Sequence, residues 1–314
     1  MLKKFIIALG ILGLNMAFGQ TLEIVPLGVY GGSDESNLSA YLVGEKDANS
    51  YISMDAGTIY SGIKKAIEHQ TFHVNQTIVL KDYIKGYFIS HGHLDHLSGL
   101  IINSPEDAKK PIYGTKEMID ILKQNYFTNA AWANFGNEGE TPILNKYTYR
   151  RFDNQQEFEI EHTNLKAKIF ELSHVNPWIS SALMVSNQTQ SLIYFGDTGA
   201  DRIENTNKLD AVWQAIAPEI KKGKLKTIML EVSFPNVQPE NLLFGHLTPN
   251  LLFEELHRLE KYVGKGKLKG MNLVITHLKP KDNNIDIIKE EIAKLNDLSL
   301  QIIYPKQGEK IIIN

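Results

Sequence analysis

Short apolar runs recur along this chain, and their lengths mark them as strands. Leu22–Leu27, Ala40–Val43, Tyr51–Met54 and Tyr87–Ser90 come early. Leu165–Leu172, Ser181–Val185, Ser191–Phe195, Thr227–Val232, Leu273–Thr276 and Leu300–Tyr304 follow in the second half. Runs of roughly four to eight residues, rich in branched and aromatic side chains and bounded by polar turns, are the pattern of buried strands. Helical spacing falls between them, around Lys116–Leu122 and Lys208–Glu219. One helix start is especially legible. Thr248 offers a capping hydroxyl, Pro249 suits the first helical position, and Leu252, Leu256, Leu259 and Val263 recur on one face. Short strands interspersed with helices predict two sheets covered by helices on their outer faces.

Composition sharpens this picture. The chain has 314 residues, 43% of them hydrophobic, enough for a large core. No Pro/Gly/Ser-rich linker, repeat or low-complexity tract divides it, so residues 20–314 read as a single catalytic domain. A formal net charge of -3 and the lack of a long basic run argue against nucleic acid as a partner. Lys221-Lys222-Gly223-Lys224-Leu225-Lys226, the densest basic patch, reads as a solvated turn before the strand Thr227–Val232.

The N-terminus carries a different pattern. Lys3-Lys4 is followed by an uncharged apolar stretch from Phe5 to Met16, then by Ala17-Phe18-Gly19 with small residues at the −3 and −1 positions. That is the secretory arrangement, too short to span a membrane comfortably. It predicts a signal peptide over residues 1–19, a mature start near Gln20, no membrane span in the mature form, and a periplasmic or secreted destination. The chain has no cysteine, which excludes disulfides, thiolate metal ligands and lipid attachment at the cleavage site.

The chemistry concentrates in His91-Gly92-His93-Leu94-Asp95-His96, placed straight after the apolar Tyr87-Phe88-Ile89. Imidazole nitrogen and carboxylate oxygen suit zinc, manganese or iron. In an extended segment His91 and His93 face one side and can grip one ion, while a turn after Leu94 would send Asp95 and His96 to a second. His174, Asp197 and His277 each follow a further strand-like run, and His246 lies in the loop before the capped helix. Active-site groups typically ride on loops at one edge of a rigid sheet. His69, His73, His162 and His257 lack such a context and read as ordinary surface or core histidines.

This order, His-x-His-x-Asp-His, then His, then Asp in Gly196-Asp197-Thr198, then His, resembles the metallo-β-lactamase superfamily. Read onward from His91 through Leu97-Ser98-Gly99-Leu100-Ile101-Ile102-Asn103-Ser104-Pro105, the stretch resembles the signature of class II cyclic-nucleotide phosphodiesterases, with support from Gly245-His246-Leu247-Thr248-Pro249. The resemblance implies an α/β fold, an αββα sandwich with a dinuclear metal site at one edge. It implies that His91, His93 and His174 hold a first ion, that Asp95, His96 and His277 hold a second, and that Asp197 bridges them. Two divalent ions are implied, zinc first, with manganese or iron allowed by the same ligands. Asp55, in Met54-Asp55-Ala56-Gly57, matches the superfamily's early Asp-x-Gly turn and would orient ligand loops. Redox members of the superfamily usually replace a ligand of the first motif with Glu; this chain keeps the hydrolytic pattern.

A phosphodiester is inert in water, and the chain offers neither a cysteine nucleophile nor a Gly-x-Ser-x-Gly elbow. Coordination to a cation can lower the pKa of water from about 15.7 to about 7. The ribose 3′-oxygen of a cyclic nucleotide is a poor leaving group, and His246 is the candidate proton donor, with Glu231 as an acidic partner that would hold the imidazole charged. Asp95 joins these two among the groups implied in catalysis. The expected activity is hydrolysis of 3′,5′-cyclic nucleotides, cAMP or cGMP, to 5′-monophosphates, with the small cyclic nucleotide as the partner molecule. The alternatives are an RNA-end phosphodiesterase, a β-lactamase or lactonase, and a metal-binding protein without turnover. Base preference and oligomeric state are not encoded in these motifs, and a homodimer is compatible with them.

Overall fold

The computed structural model describes residues 21–313; the segment 1–19, expected to be an export signal, lies outside the described residues. The strands are β1 Leu22–Gly28, β2 Ala40–Glu45, β3 Tyr51–Met54, β4 Ile84–Phe88, β5 Lys110–Gly114, β6 Tyr147–Arg151 and β7 Glu157–Glu159. They continue with β8 Lys166–Ser173, β9 Ile179–Ser186, β10 Ser191–Phe195, β11 Leu225–Glu231, β12 Asn272–Thr276, β13 Gln301–Ile303 and β14 Ile311–Ile312. The α-helices are α1 Tyr60–Glu68, α2 Gln76–Ile78, α3 Leu94–Asn103, α4 Lys116–Ile121, α5 Asp201–Glu204, α6 Lys208–Lys221, α7 Pro249–Val263 and α8 Asn284–Leu295.

Two seven-stranded mixed sheets result, ordered β14-β1-β2-β3-β4-β5-β6 and β13-β12-β11-β10-β9-β8-β7. Alternation along each strand separates three apolar layers. On β10, Leu192 and Tyr194 enter the layer between the sheets, where they meet Tyr41, Met54 and Phe88 of the first sheet. Ile193 and Phe195 face the other way, into a layer shared with Trp213 of α6 and Leu252 and Leu256 of α7. The first sheet repeats the device, with Val25 and Leu27 of β1 packed in a third layer with Ile63 of α1 and Leu97 and Leu100 of α3. Strands buried on both faces need apolar residues at every position, which is why they stand out as continuous runs. Burying each such side chain contributes roughly 1.5–3 kcal/mol, so the layers dominate stability. The expected αββα order is thus present.

The two sheets present matching edges. β3 and β4 run parallel, and so do β10, β11 and β12, with β8 brought into the same direction through antiparallel β9. Asp55, His91, His174, Asp197, Glu231 and His277 therefore all sit at, or just beyond, the C-terminal ends of strands. The strand expected over Tyr87–Ser90 is Ile84–Phe88 instead. Asp55 explains its early end: its carboxylate accepts from the Ser90 N–H at 2.7 Å and the Ser90 hydroxyl at 2.8 Å, drawing the chain out of the ladder. The helix at Thr248 starts as read, the hydroxyl accepting from the Leu251 N–H and Pro249 opening the first turn. No helix among the described residues is long and apolar enough to cross a membrane.

Candidate active site

The seven residues expected to bind metal converge. His91, His93, His174 and Asp197 place one donor atom each within 4.8 Å of one another, and Asp95, His96 and His277 do the same. Asp197 lies between the groups. Its Oδ1 is 3.2 Å from His96 Nε2, while Oδ2 is 3.3 Å from His277 Nε2, 3.8 Å from His91 Nε2 and 3.9 Å from His174 Nε2. Against the penalty of burial, His277 and His96 hold the Asp197 carboxyl well below the usual range.

The orientation of the rings tests whether a cation fits. His96 Nδ1 is 2.6 Å from Asp55 Oδ2, His174 Nδ1 is 2.9 Å from the Gly245 carbonyl, and His277 Nδ1 is 2.9 Å from Ser233 Oγ. His91 Nδ1 lies 3.0 Å from the Ser90 hydroxyl. Each of these four rings thus commits Nδ1–H to an outer acceptor and turns Nε2 inward, the arrangement that fixes the ligating tautomer. His91 Nε2, His96 Nε2 and Asp197 Oδ1 are buried without a hydrogen-bond partner. A buried unpaired polar atom costs about 1–3 kcal/mol, and three in one cluster suit a donor set built for positive charge.

The local chain geometry serves the rings. Leu94 opens α3 directly after His93, so the turn toward Asp95 and His96 is the first turn of a helix. Gly31 passes so close to the His277 imidazole that a Cβ there would overlap the ring. Its neighbour Gly32 donates its N–H to Asp95 Oδ2 at 3.0 Å. Asp55, Val175, Phe244 and His277 all adopt positive φ, between 50° and 58°. For a β-branched residue such as Val175 this is an outlier, of the kind that clusters at functional sites.

His246 is buried beside the ligand groups, and its Nδ1 is 2.7 Å from Glu231 Oε1. Glu231 also accepts from the Thr198 N–H at 3.1 Å and the Ser233 hydroxyl at 2.7 Å. The expected partnership is there, but not the expected charge. Lys279 Nζ lies 3.0 Å from His246 Nε2. An ammonium can only donate, so Nε2 accepts and the ring is neutral. Burial pushes His246 down to about 4, although Asp197 pulls the other way. Burial and the Asp197 charge push Glu231 up to about 7. The reading that Glu231 holds the imidazole protonated is therefore corrected: desolvation and the facing ammonium outweigh the pull of Asp197 and Asp95. His246 also falls within ligand distance of Asp197 and His277, but its Nδ1 is taken by Glu231.

The histidines left aside stay outside the cluster; His257, for example, lies 3.3 Å from Asp297 Oδ1. Sequence reasoning passed over Ser90, Ser233, Gly31 and Lys279. The only signal for Lys279 was its place two residues after His277.

An αββα sandwich with a histidine- and aspartate-rich cluster at the shared edge of its sheets defines the metallo-β-lactamase fold. Solved structures agree. Unliganded yeast PDE1 superposes with a TM-score of 0.83 at 22% identity, covering 94% of this chain and 100% of that one. The metallo-β-lactamase fold protein YhfI from Bacillus subtilis gives a TM-score of 0.61 at 16% identity, over 93% and 99%. The family description "cAMP phosphodiesterases class-II" matches residues 21–308. A 3′,5′-cyclic-nucleotide phosphodiesterase of Aliivibrio fischeri is 39% identical over 305 residues, 93% of this chain and 92% of the relative. A probable 3′,5′-cyclic-nucleotide phosphodiesterase of Yersinia pestis is 38% identical over 302 residues, 91% and 88% of the two chains. The chain belongs to the class-II cAMP phosphodiesterases.

Proposed function

We propose that the protein hydrolyses 3′,5′-cyclic nucleotides to nucleoside 5′-monophosphates, with His91, His93 and His174 holding one divalent cation, Asp95, His96 and His277 a second, and Asp197 between them. Zinc suits this all-nitrogen-and-oxygen set, and manganese or iron share its ligand chemistry. Such ions supply an acidified water and positive charge against the phosphoryl oxygens. In the reaction water adds its oxygen to phosphorus, the bond from phosphorus to the ribose 3′-oxygen breaks, and a proton must reach that oxygen. His246 is the chain's own group for conveying it. Its ring is fixed through Nδ1 by Glu231, and Nε2, which faces Lys279 Nζ, is the atom that can take up a proton and release it. Asp95 serves as a ligand, and its Oδ2 accepts from the Gly32 N–H.

The observation that carries this reading is the Glu231–His246 pair against the Asp197 cluster, since acyl hydrolysis at such a centre has no need of a second, ion-independent proton carrier. Purified protein assayed against cyclic AMP, cyclic GMP, a 2′,3′-cyclic nucleotide and nitrocefin tests it, with products identified by phosphorus NMR. A 5′-monophosphate from the 3′,5′-cyclic substrates is expected. Opening of nitrocefin alone, or 3′-monophosphate as product, would overturn it.

A further inference from the structure

We infer that Lys279 is a substrate-binding residue whose ammonium engages a non-bridging oxygen of the anionic phosphodiester, an assignment that rests on the proposed reaction but is tested apart from it.

The argument begins with its location. β12 ends at Thr276, His277 faces the cluster, and Leu278 turns into the core, 5% exposed and bridged to Tyr30. Lys279 is the next residue, half-buried, so it emerges on the rim beside a candidate ligand. Its stem runs beside Gly32, where a Cβ would come within 3.9 Å of its Cγ. Gly32 is also the residue that holds Asp95. The same short loop therefore sets a ligand carboxylate and an ammonium in register.

Its partners are unusual for a lysine. The Nζ sits 3.0 Å from His246 Nε2 and 4.9 Å from the centre of the Phe234 ring. Among the described residues it has no carboxylate within ion-pair distance, whereas Asp95, Asp197 and Glu231 all find partners elsewhere in the site. An ammonium offers three donors. One is used by the imidazole and one side rests on an aromatic face, which leaves donor capacity for an anion.

The substrate explains the arrangement. A cyclic nucleotide carries one full negative charge on its phosphodiester, and His246 is the residue placed to serve its leaving oxygen. A cation touching His246 Nε2 is then within reach of the phosphoryl group that this oxygen leaves. When the ammonium turns to the phosphate, Nε2 is released for proton transfer. Substrate anchoring and the freeing of His246 become one movement.

The test compares Lys279→Met and Lys279→Arg with the wild-type holoenzyme. Calorimetric titration with inorganic phosphate needs no turnover. Loss of one charge-assisted hydrogen bond should weaken phosphate binding and kcat/KM for cyclic AMP by roughly 10- to 100-fold in Lys279→Met, chiefly through KM. Lys279→Arg should recover most of both, and metal content and Tm should stay at wild-type values in each. Wild-type phosphate affinity in Lys279→Met would overturn the inference, as would an arginine variant no better than the methionine one. Lost metal in Lys279→Met would also overturn it, assigning Lys279 to the support of His277. Should the wild type fail to cleave cyclic nucleotides while phosphate binding still depends on Lys279, the proposed reaction falls and the anion site stands.

Discussion

Asp55 accepts from His96 Nδ1 at 2.6 Å, from the Tyr194 hydroxyl at 2.6 Å and from Ser90 twice, all fully buried. Removing the charge while keeping the shape isolates its effect on the ring. Asp55→Asn should lower affinity for the divalent cation by about 10- to 100-fold, the usual cost of losing such a partner, as read by competition with a metallochromic chelator. Unchanged affinity would make Asp55 a loop anchor only. His246→Ala probes the opposite kind of residue, one proposed to touch the reaction and not the ion. It should retain full metal content and lose about 10²–10⁴-fold in turnover of cyclic AMP. A nitrophenyl phosphodiester, whose leaving group needs little protonation, should lose far less; equal losses would contradict the role. The candidate ligands themselves were legible because each ends an apolar run or joins the His91–His96 cluster. Ser233 and Lys279 were not, since a serine bonded to an imidazole 44 residues away and a lysine touching one 33 residues back leave no local pattern.

Elements were readable in proportion to burial. β10, apolar from Leu192 onward and buried at every residue, is bounded as its sequence suggests. β5 and β6, Lys-Pro-Ile-Tyr-Gly and Tyr-Thr-Tyr-Arg-Arg, lie at the outer end of the first sheet, and their polar residues hide the strand pattern. The buried Lys110 of β5 is tolerated through an ion pair to Asp107 at 2.7 Å and a bond to the Leu80 carbonyl. α7 shows the converse case, where local chemistry alone set the boundary. Its Thr248 cap adjoins Leu247, whose N–H lies 3.5 Å from Glu231 Oε2, so the cap borders the Glu231–His246 pair. Thr248→Ala should cost about 1 kcal/mol, measured as a lower urea midpoint at unchanged slope. Activity should be reduced only modestly, because Glu231 keeps its bonds from Thr198 and Ser233. A shift of several kcal/mol would mean the cap organises the whole loop.

Seen whole, the molecule divides its chemistry between two sheets that touch through an apolar layer. His91, His93, Asp95 and His96 follow β4 in one sheet, while His174, Asp197 and His277 follow strands of the other. Neither half can complete the proposed coordination spheres unless the sheets are docked, so a bound cation would act as a clasp across the seam in a protein without cysteine. Mass action then ties fold stability to the free ion concentration. Unfolding free energy should climb by about 1.4 kcal/mol per decade of buffered metal for one ion released on unfolding, and by about twice that for two. Strong chelation should lower Tm, and restored zinc or manganese should raise it again. A flat response would sink the clasp. The slope of a melting series thus reads out stoichiometry without a single turnover, and heat becomes a gauge of how many ions fasten the halves.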